Sequence, residues 1–460
     1  MTKQIQRQLV SLFALAILAG ACGDDEDSAD TTTAGVETTA AVETTAAVDT
    51  TTAGVETTAA VETTTTVDYD LPESCDAEQG ITDDTISITV LSDLSGPIAA
   101  MGGVDHAMAF KAHFDAINAE GGIDGRMVEV DVRDMKYDPV VAAGEYEQVR
   151  TSTAMMSDIL GSAAINAIAG DMELDCLITF QGATNGVLAQ TYTSVFTPAS
   201  SAGHDLVNGI AYALGQSPEA TFAVAYQADP YGEALKSAGD FVATEEGFEW
   251  LTEVTFGPRD TDMTAQTQAL LAADPDYVVY GGLPTQLAGI VAGVHAAGND
   301  MMFLIPTGAW SPGLLATPAA EAIEAHVIVI TPYAAWSGDE PGIVQMREEI
   351  TEFAPDVKPG SPAQTGYNAA TVVAETLRVA SANGDLTLGG IYRAAATLQF
   401  DNGGLVPPHA YGSRSDEPRI PSVATRIWTP TRASEDGIEP LVEGIISYEL
   451  SEMFIEQGGS

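Results

Sequence analysis

Only 17 lysines and arginines stand against 66 aspartates and glutamates, a formal net charge of -49 at pH 7. Nucleic acids and anionic membranes are held by clustered basic side chains, so a chain this poor in cations excludes both as partners through its own surface. Catalytic signatures are missing as well. There is no Gly-x-Ser-x-Gly elbow, no His-Glu-x-x-His pair and no calcium loop, which removes the common marks of serine hydrolases and metalloproteases. The six histidines are scattered; His106 and His113 lie seven apart and can share a helix face, but two histidines without a thiol or a ligand-spaced cluster read as surface or packing residues rather than a metal site. Carboxylates are so abundant that pairs of them carry no information. Cysteine is equally scarce, at three. In an oxidising compartment Cys75 and Cys176 suggest one disulfide, the alternative being two separate thiols, one of them buried in the run CLITF.

What is present begins with a targeting pattern. Lys3 and Arg7 precede an apolar run from Leu9 to Ala21, shorter than the roughly 20 residues that span a bilayer, and small residues lead to Cys22. The stretch LAGAC resembles a bacterial lipobox, with Ala19 where that motif prefers leucine. It implies a signal peptide over residues 1–22, ending at a lipidated Cys22. From Asp24 to Val67 a unit of valine, an acid, threonines and small residues recurs at Val36, Val42, Val48, Val55 and Val61. Without aromatic or large aliphatic side chains to bury, folding cannot offset the entropy of ordering such a segment, so residues 23–78 are expected to be a disordered tether, its threonines open to O-glycosylation.

A globular body follows. Strand-like runs (ISITVLS, VEVDVRD, DCLITF, TFAVAYQ, LTEVTF, DYVVYGG, MMFLIPT, HVIVITPY) alternate with segments of helical spacing, such as Ala107, Phe110, Phe114 and Ile117 on one face. This alternation predicts parallel sheets covered by helices on both sides, and the length predicts two α/β domains. Strand, glycine turn and helix at SDLSGPIAAMGG has the order of a phosphate loop, but lacks the lysine and hydroxyl ending and has no cation nearby. The loops GSAAINA (Gly161 to Ala167) and FQGATNG (Phe180 to Gly186) lie where open α/β sheets bind ligands, and together read as a neutral polar cradle suited to a carboxylate. For Ser162 the alternative is a plain helix cap.

The run from ITVLSDLSGP through INAEGGIDGR to DPVVA resembles the start of the leucine/isoleucine/valine-binding proteins, the type I periplasmic solute-binding components of ABC importers. DPYGEAL, DTDMTAQ, YVVYGGLPT, TGYNAA and FDNGGL follow in the family's order, so the resemblance covers about Gly80 to Trp428. It implies two Rossmann-like lobes with parallel-core sheets joined by three crossings near Ala202, Pro332 and Gln399. Lobe 1 would be residues 79–202 and 333–398, and lobe 2 residues 203–332 and 399–460. Position by position, the resemblance puts the carboxylate-binding serine at Ser162 beside Ala163, further contacts at Gly182 and Thr184, a cleft tyrosine at Tyr231 and an ammonium-binding acid near Asp260. Met101 replaces the family's first-loop aromatic, while Gln181 and Trp310 are placed in the cleft by their loops. The implied protein is a monomer without cofactor, metal or enzymatic activity. It would be exported and anchored to the outer face of the cell membrane through Cys22, taking a small solute, an amino acid or related amide, to the membrane subunits of a permease. A ligand-sensing receptor module and an extracellular enzyme on the same fold are the alternatives.

Overall fold

A computed structural model describes residues 71–182, 185–399, 401–407, 422–457 and 459. Cys22, the signal segment and most of the tether lie outside the described residues, and so does Thr184. Strand β1 (Thr85–Ser92) is β-branched and almost wholly buried, as a strand covered on both faces must be. It pairs in parallel with β2 (Met127–Asp134) on one side and β3 (Met155–Ile159) on the other. Between these strands run α1 (Gly103–Ala119) and α2 (Pro139–Val149), and after them α3 (Ser162–Leu174). The expected face of α1 is the buried one, carrying Ala107, Phe110, Phe114 and Ile117. A small parallel pair, β4 (Thr179–Phe180) and β5 (Val195–Phe196), flanks the short helix α4 (Gly186–Thr191).

The second sheet has seven strands. β6 (Phe222–Gln227), β7 (Glu253–Phe256), β8 (Tyr277–Gly281), β9 (Met302–Pro306) and β10 (Val327–Thr331) are parallel. β11 (Thr425–Pro430) and β12 (Ile438–Ile446) extend it antiparallel, giving the order β12-β11-β10-β9-β8-β6-β7. Its helices are α5 (Ala202–Gln216), α6 (Pro230–Glu246), α7 (Thr264–Ala273), α8 (Pro284–Ala296) and α9 (Ala320–His326). The chain then returns to the first sheet with α10 (Pro341–Phe353), α11 (Ser361–Ala382) and α12 (Leu388–Ala396), and ends on the second with α13 (Glu449–Glu456). Ala370, Val373 and Leu377 of α11 share a core with Ile86, Phe110 and Phe180. A separate core joins Ala225, Val278, Phe303 and Val329 in the other lobe.

The chain therefore passes between the lobes three times: after β5, after β10 and between α12 and β11. The passages meet at Asp205, in the first turn of α5. Its Oδ1 accepts from Ser200 Oγ (3.2 Å) and Thr425 Oγ1 (3.3 Å), and its Oδ2 from Thr307 Oγ1 (2.8 Å). Thr331 Oγ1 lies 3.1 Å from the Thr307 hydroxyl, so the second passage joins the same network. On the far side of lobe 1, Cys75 and Cys176 form a disulfide across 101 positions, with Cα atoms 5.4 Å apart. Leu388 N–H, at the start of α12, donates to Ala77 O nearby (3.0 Å). Among the described residues no helix is long and apolar enough to cross a membrane.

Candidate functional site

Loops that follow seven of the ten parallel strands end at one cavity between the lobes. Lobe 1 supplies Ile98 after β1, Tyr137 after β2, Gly161 after β3 and Gly182 after β4; lobe 2 supplies Tyr231 after β6, Leu283 after β8 and Thr307 after β9. This is the carboxyl end of both sheets, where the crossovers leave room for a ligand. The space open to the centre of a water molecule is about 80 Å³. Its wall is mainly apolar, with Met101, Leu160, Pro284, Trp310 and Pro362 closing it. No Lys, Arg, Asp or Glu lies among the described residues that line it, although acids outnumber bases 66 to 17 in the whole chain.

Local sequence explains how these side chains are presented. Asp229 caps α6 by accepting from the Tyr231 and Gly232 amides (3.0 and 3.1 Å), and Pro230 fills the first helical position, so Tyr231 is fixed in the first turn at the cavity edge. Burial pushes the Tyr231 phenol well above its ordinary pKa. Its Oη has no partner in the protein, and neither has Trp310 Nε1, though both residues are at least 96% buried. A methyl group built on Gly308 would stand 2.4 Å from Tyr231 Oη, so glycine there keeps the hydroxyl at the wall. Tyr137 follows Lys136 in the left-handed region, with φ of 50° and 57°. Two such non-glycine residues in a row are costly and are characteristic of ligand-holding turns. Burial and the nearby Asp229 carboxylate raise the Tyr137 phenol pKa, a hydrogen bond with Gln227 opposing them.

Beneath the cavity, His106 of α1 bonds through Nε2 to Asp158 Oδ2 of β3, both residues being buried. Asp158 Oδ1 has no partner. Gly182 lies against this pair: a Cβ there would fall 2.7 Å from His106 Cε1 and 2.8 Å from Asp158 Oδ1. Gly366 lets α11 approach α1 at the same level, since a Cβ would meet His106 O at 2.0 Å.

The residues expected from sequence divide into two sets. Met101, Gly182, Tyr231 and Trp310 line the cavity. Ser162, Ala163, Gln181 and Asp260 are not among its lining residues, and Thr184 is outside the described residues. Ser162 is the first residue of α3 and fully buried, and its hydroxyl accepts from Asn185 Nδ2 (3.2 Å); Gly161, not Ser162, occupies the cap position. Gln181 clasps its own loop, donating to Asn185 O (2.8 Å) and accepting from Asn185 N–H (2.9 Å). Asp260 is exposed and accepts from the Gly257 amide (2.7 Å). Tyr137, Thr307 and Thr365 line the cavity without having been singled out by sequence reasoning, and so does His106, which the sequence reads as a surface or packing residue. Their one detectable signal is position: each lies just past a strand or within the first turns of a helix.

Several contacts tie the lobes across the cavity mouth. Asn185 Nδ2 also donates to Pro230 O of lobe 2 (3.0 Å), Arg259 donates to Lys136 O (3.0 Å), and a Cβ on Gly313 would touch Met101 Sδ at 3.2 Å.

The family model described as periplasmic binding protein matches residues 85–420. The chain belongs to that family. Among solved structures, a fatty acid ABC transporter substrate-binding protein from Thermomonospora curvata is 26% identical. Its match covers 81% of this chain and 95% of that one, with a TM-score of 0.76. A branched-chain amino acid ABC transporter protein from Thermus thermophilus with bound valine is 18% identical over 81% and 99% of the two chains, TM-score 0.72, a likeness of fold. The leucine-, isoleucine-, valine-, threonine- and alanine-binding protein of Pseudomonas aeruginosa is 24% identical over 249 residues, which span 50% of this chain and 63% of that protein. Members of this periplasmic binding protein family bind solutes outside the cytoplasm and are not enzymes; the two-lobed α/β architecture described above is theirs.

Proposed function

We propose that this periplasmic binding protein is the extracytoplasmic capture component of an ABC importer. It is held at the outer face of the membrane by lipid on Cys22, and it encloses one small solute between its lobes before docking on a permease. One observation carries this reading: a cavity at the carboxyl ends of both sheets, walled by both lobes, across a hinge of three chain passages. Such geometry couples binding to closure, because a solute that touches both walls has more affinity for the closed form than for the open one. The contacts of Asn185 and Arg259 across the mouth form only when the lobes are together, so closure adds protein–protein bonds to those made with the solute.

The test combines two measurements on the same sample. A solute raises the melting temperature by mass action, and small-angle scattering shows the radius of gyration falling as it binds. The solute is recovered unchanged after denaturation. Chemical conversion of the solute, or binding with no compaction, overturns the reading. Replacing Cys22 by serine is expected to release the protein from the membrane fraction without altering either measurement.

A further inference from the structure

The electrostatics of the cavity are one-sided. Five helices begin at its wall: α1 at Gly103, α3 behind Gly161, and α6, α8 and α11 with Tyr231, Pro284 and Pro362 in their first turns. Four of them, α1, α3, α8 and α11, have no side-chain cap. Each uncapped start carries the positive end of a helix dipole and amides without helical partners. Asp229 offsets this at α6. Asp105, in the first turn of α1, is engaged by the Lys358 amide (3.2 Å).

A helix start alone does not define a ligand, but the side chains point the same way. Tyr231 Oη and Trp310 Nε1 are buried, belong to residues lining the cavity, and have no acceptor in the protein. A tryptophan N–H can only donate, so Trp310 calls for an acceptor from outside the chain, and the buried Tyr231 phenol, costly without a partner, can donate to the same one. No carboxylate stands among the described lining residues to pair with a cation. The acid expected to take an ammonium, Asp260, is exposed and turned to its own loop. Asp158, behind Gly182, is engaged by His106 and is not a lining residue. The remaining polar side chains on the wall are already engaged, Thr307 with Asp205, Thr365 with Ser361 O and His106 with Asp158, and the rest of the lining is glycine, Met, Leu, Ile, Pro and aromatic rings.

We infer that the cavity accepts a small apolar monocarboxylate, its carboxylate held by Tyr231 Oη, Trp310 Nε1 and the uncapped helix starts, and its hydrocarbon body against Met101 and Leu283. This rests on the solute-capture reading and names its ligand class. The size limits the body. About 80 Å³ is open to water centres, a space that suits a short branched acid better than a long acyl chain. An α-amino acid of the same skeleton brings an ammonium that finds no partner and must be desolvated.

The experiment is a titration of the full chain with four probes: 4-methylpentanoate, 4-methylpentanamide, leucine and hexadecanoate. Leucine is 4-methylpentanoate with an added α-ammonium, and the amide removes the charge while exchanging one acceptor oxygen for an NH2 donor. The acid is expected to bind at least tenfold more tightly than any other probe. Tyr231→Phe should weaken the acid by about tenfold, the loss of one hydrogen bond to a charged group. The same substitution should leave the melting temperature of the unliganded protein unchanged or higher, since the hydroxyl has no partner there to lose. Leucine binding as tightly as the acid overturns the inference, and so does an amide of equal affinity, a preference for hexadecanoate, or no binding by any of the four. In each of those cases compaction with some other solute keeps the capture reading, whereas absence of compaction with every solute of a wider panel removes that too.

Discussion

Glycines at the cavity are chosen by what stands opposite them. Gly182 faces His106 Cε1 and Asp158 Oδ1 inside van der Waals distance of any Cβ, so Gly182→Ala must push the loop outward or part the buried pair. We expect it to cost about 1–3 kcal/mol of stability by overpacking and to abolish solute binding, measured by urea unfolding and titration of one sample. Gly144→Ala is the control, because a Cβ there meets nothing within 4 Å. In mid-helix that change should stabilise by up to about 1 kcal/mol. Residue identity in the site was only partly legible for a related reason. Tyr231 is expected from the family resemblance and Trp310 from the position of its loop, and both line the cavity. Ser162 is expected from the family resemblance, whereas in the structure its hydroxyl accepts from Asn185 and it is not among the lining residues. His106 looked like packing because its partner, Asp158, lies 52 positions away on a strand.

At the start of α5, two neighbours titrate in opposite senses. Burial alone lowers His204 to about 3, while burial raises Asp205 to about 7 against the hydrogen bonds of Thr307, Ser200 and Thr425. A depressed base contributes stability that is present above its unfolded pKa of 6.5 and is lost as pH falls below it towards 3. A raised acid contributes stability that is present below its unfolded pKa of 3.8 and is lost as pH rises through 7. Between pH 4 and 6.5 the two slopes oppose each other, each on the order of a few kcal/mol. Asp205→Asn should therefore make stability climb with pH across that window, and His204→Gln should make it fall. Denaturant midpoints of both variants at pH 4.5 and 6.5 check this; parallel slopes would discard it. Elements themselves were legible where β-branched residues are dense, as in β1 and β10. β3 was not, since MMSDI has one β-branched residue and is buried throughout, leaving no alternation. β11 and β12 join antiparallel, after a long connection that periodicity does not reveal.

For the whole molecule, the α/β class and its division into two lobes could be read from the alternation of strands and helices together with the family resemblance. The return of α10, α11 and α12 to lobe 1 could not be read from local pattern, because a core shared by Ile86 and Leu377 is built by contacts across most of the chain. The long link between Cys75 and Cys176 works at the same scale. Reducing it, or replacing Cys176 by serine, should cost about 2–5 kcal/mol, seen as an earlier unfolding midpoint in reductant. The disulfide also decides where force goes. A pull applied to the chain ahead of Leu71 reaches the sulfur bridge at Cys75 and passes into α3 through Cys176, two residues beyond that helix. Lobe 1 alone carries the load. Lobe 2 is joined to lobe 1 through the passages that meet at Asp205, so the covalent path of such a pull enters lobe 1 first and does not run through the hinge.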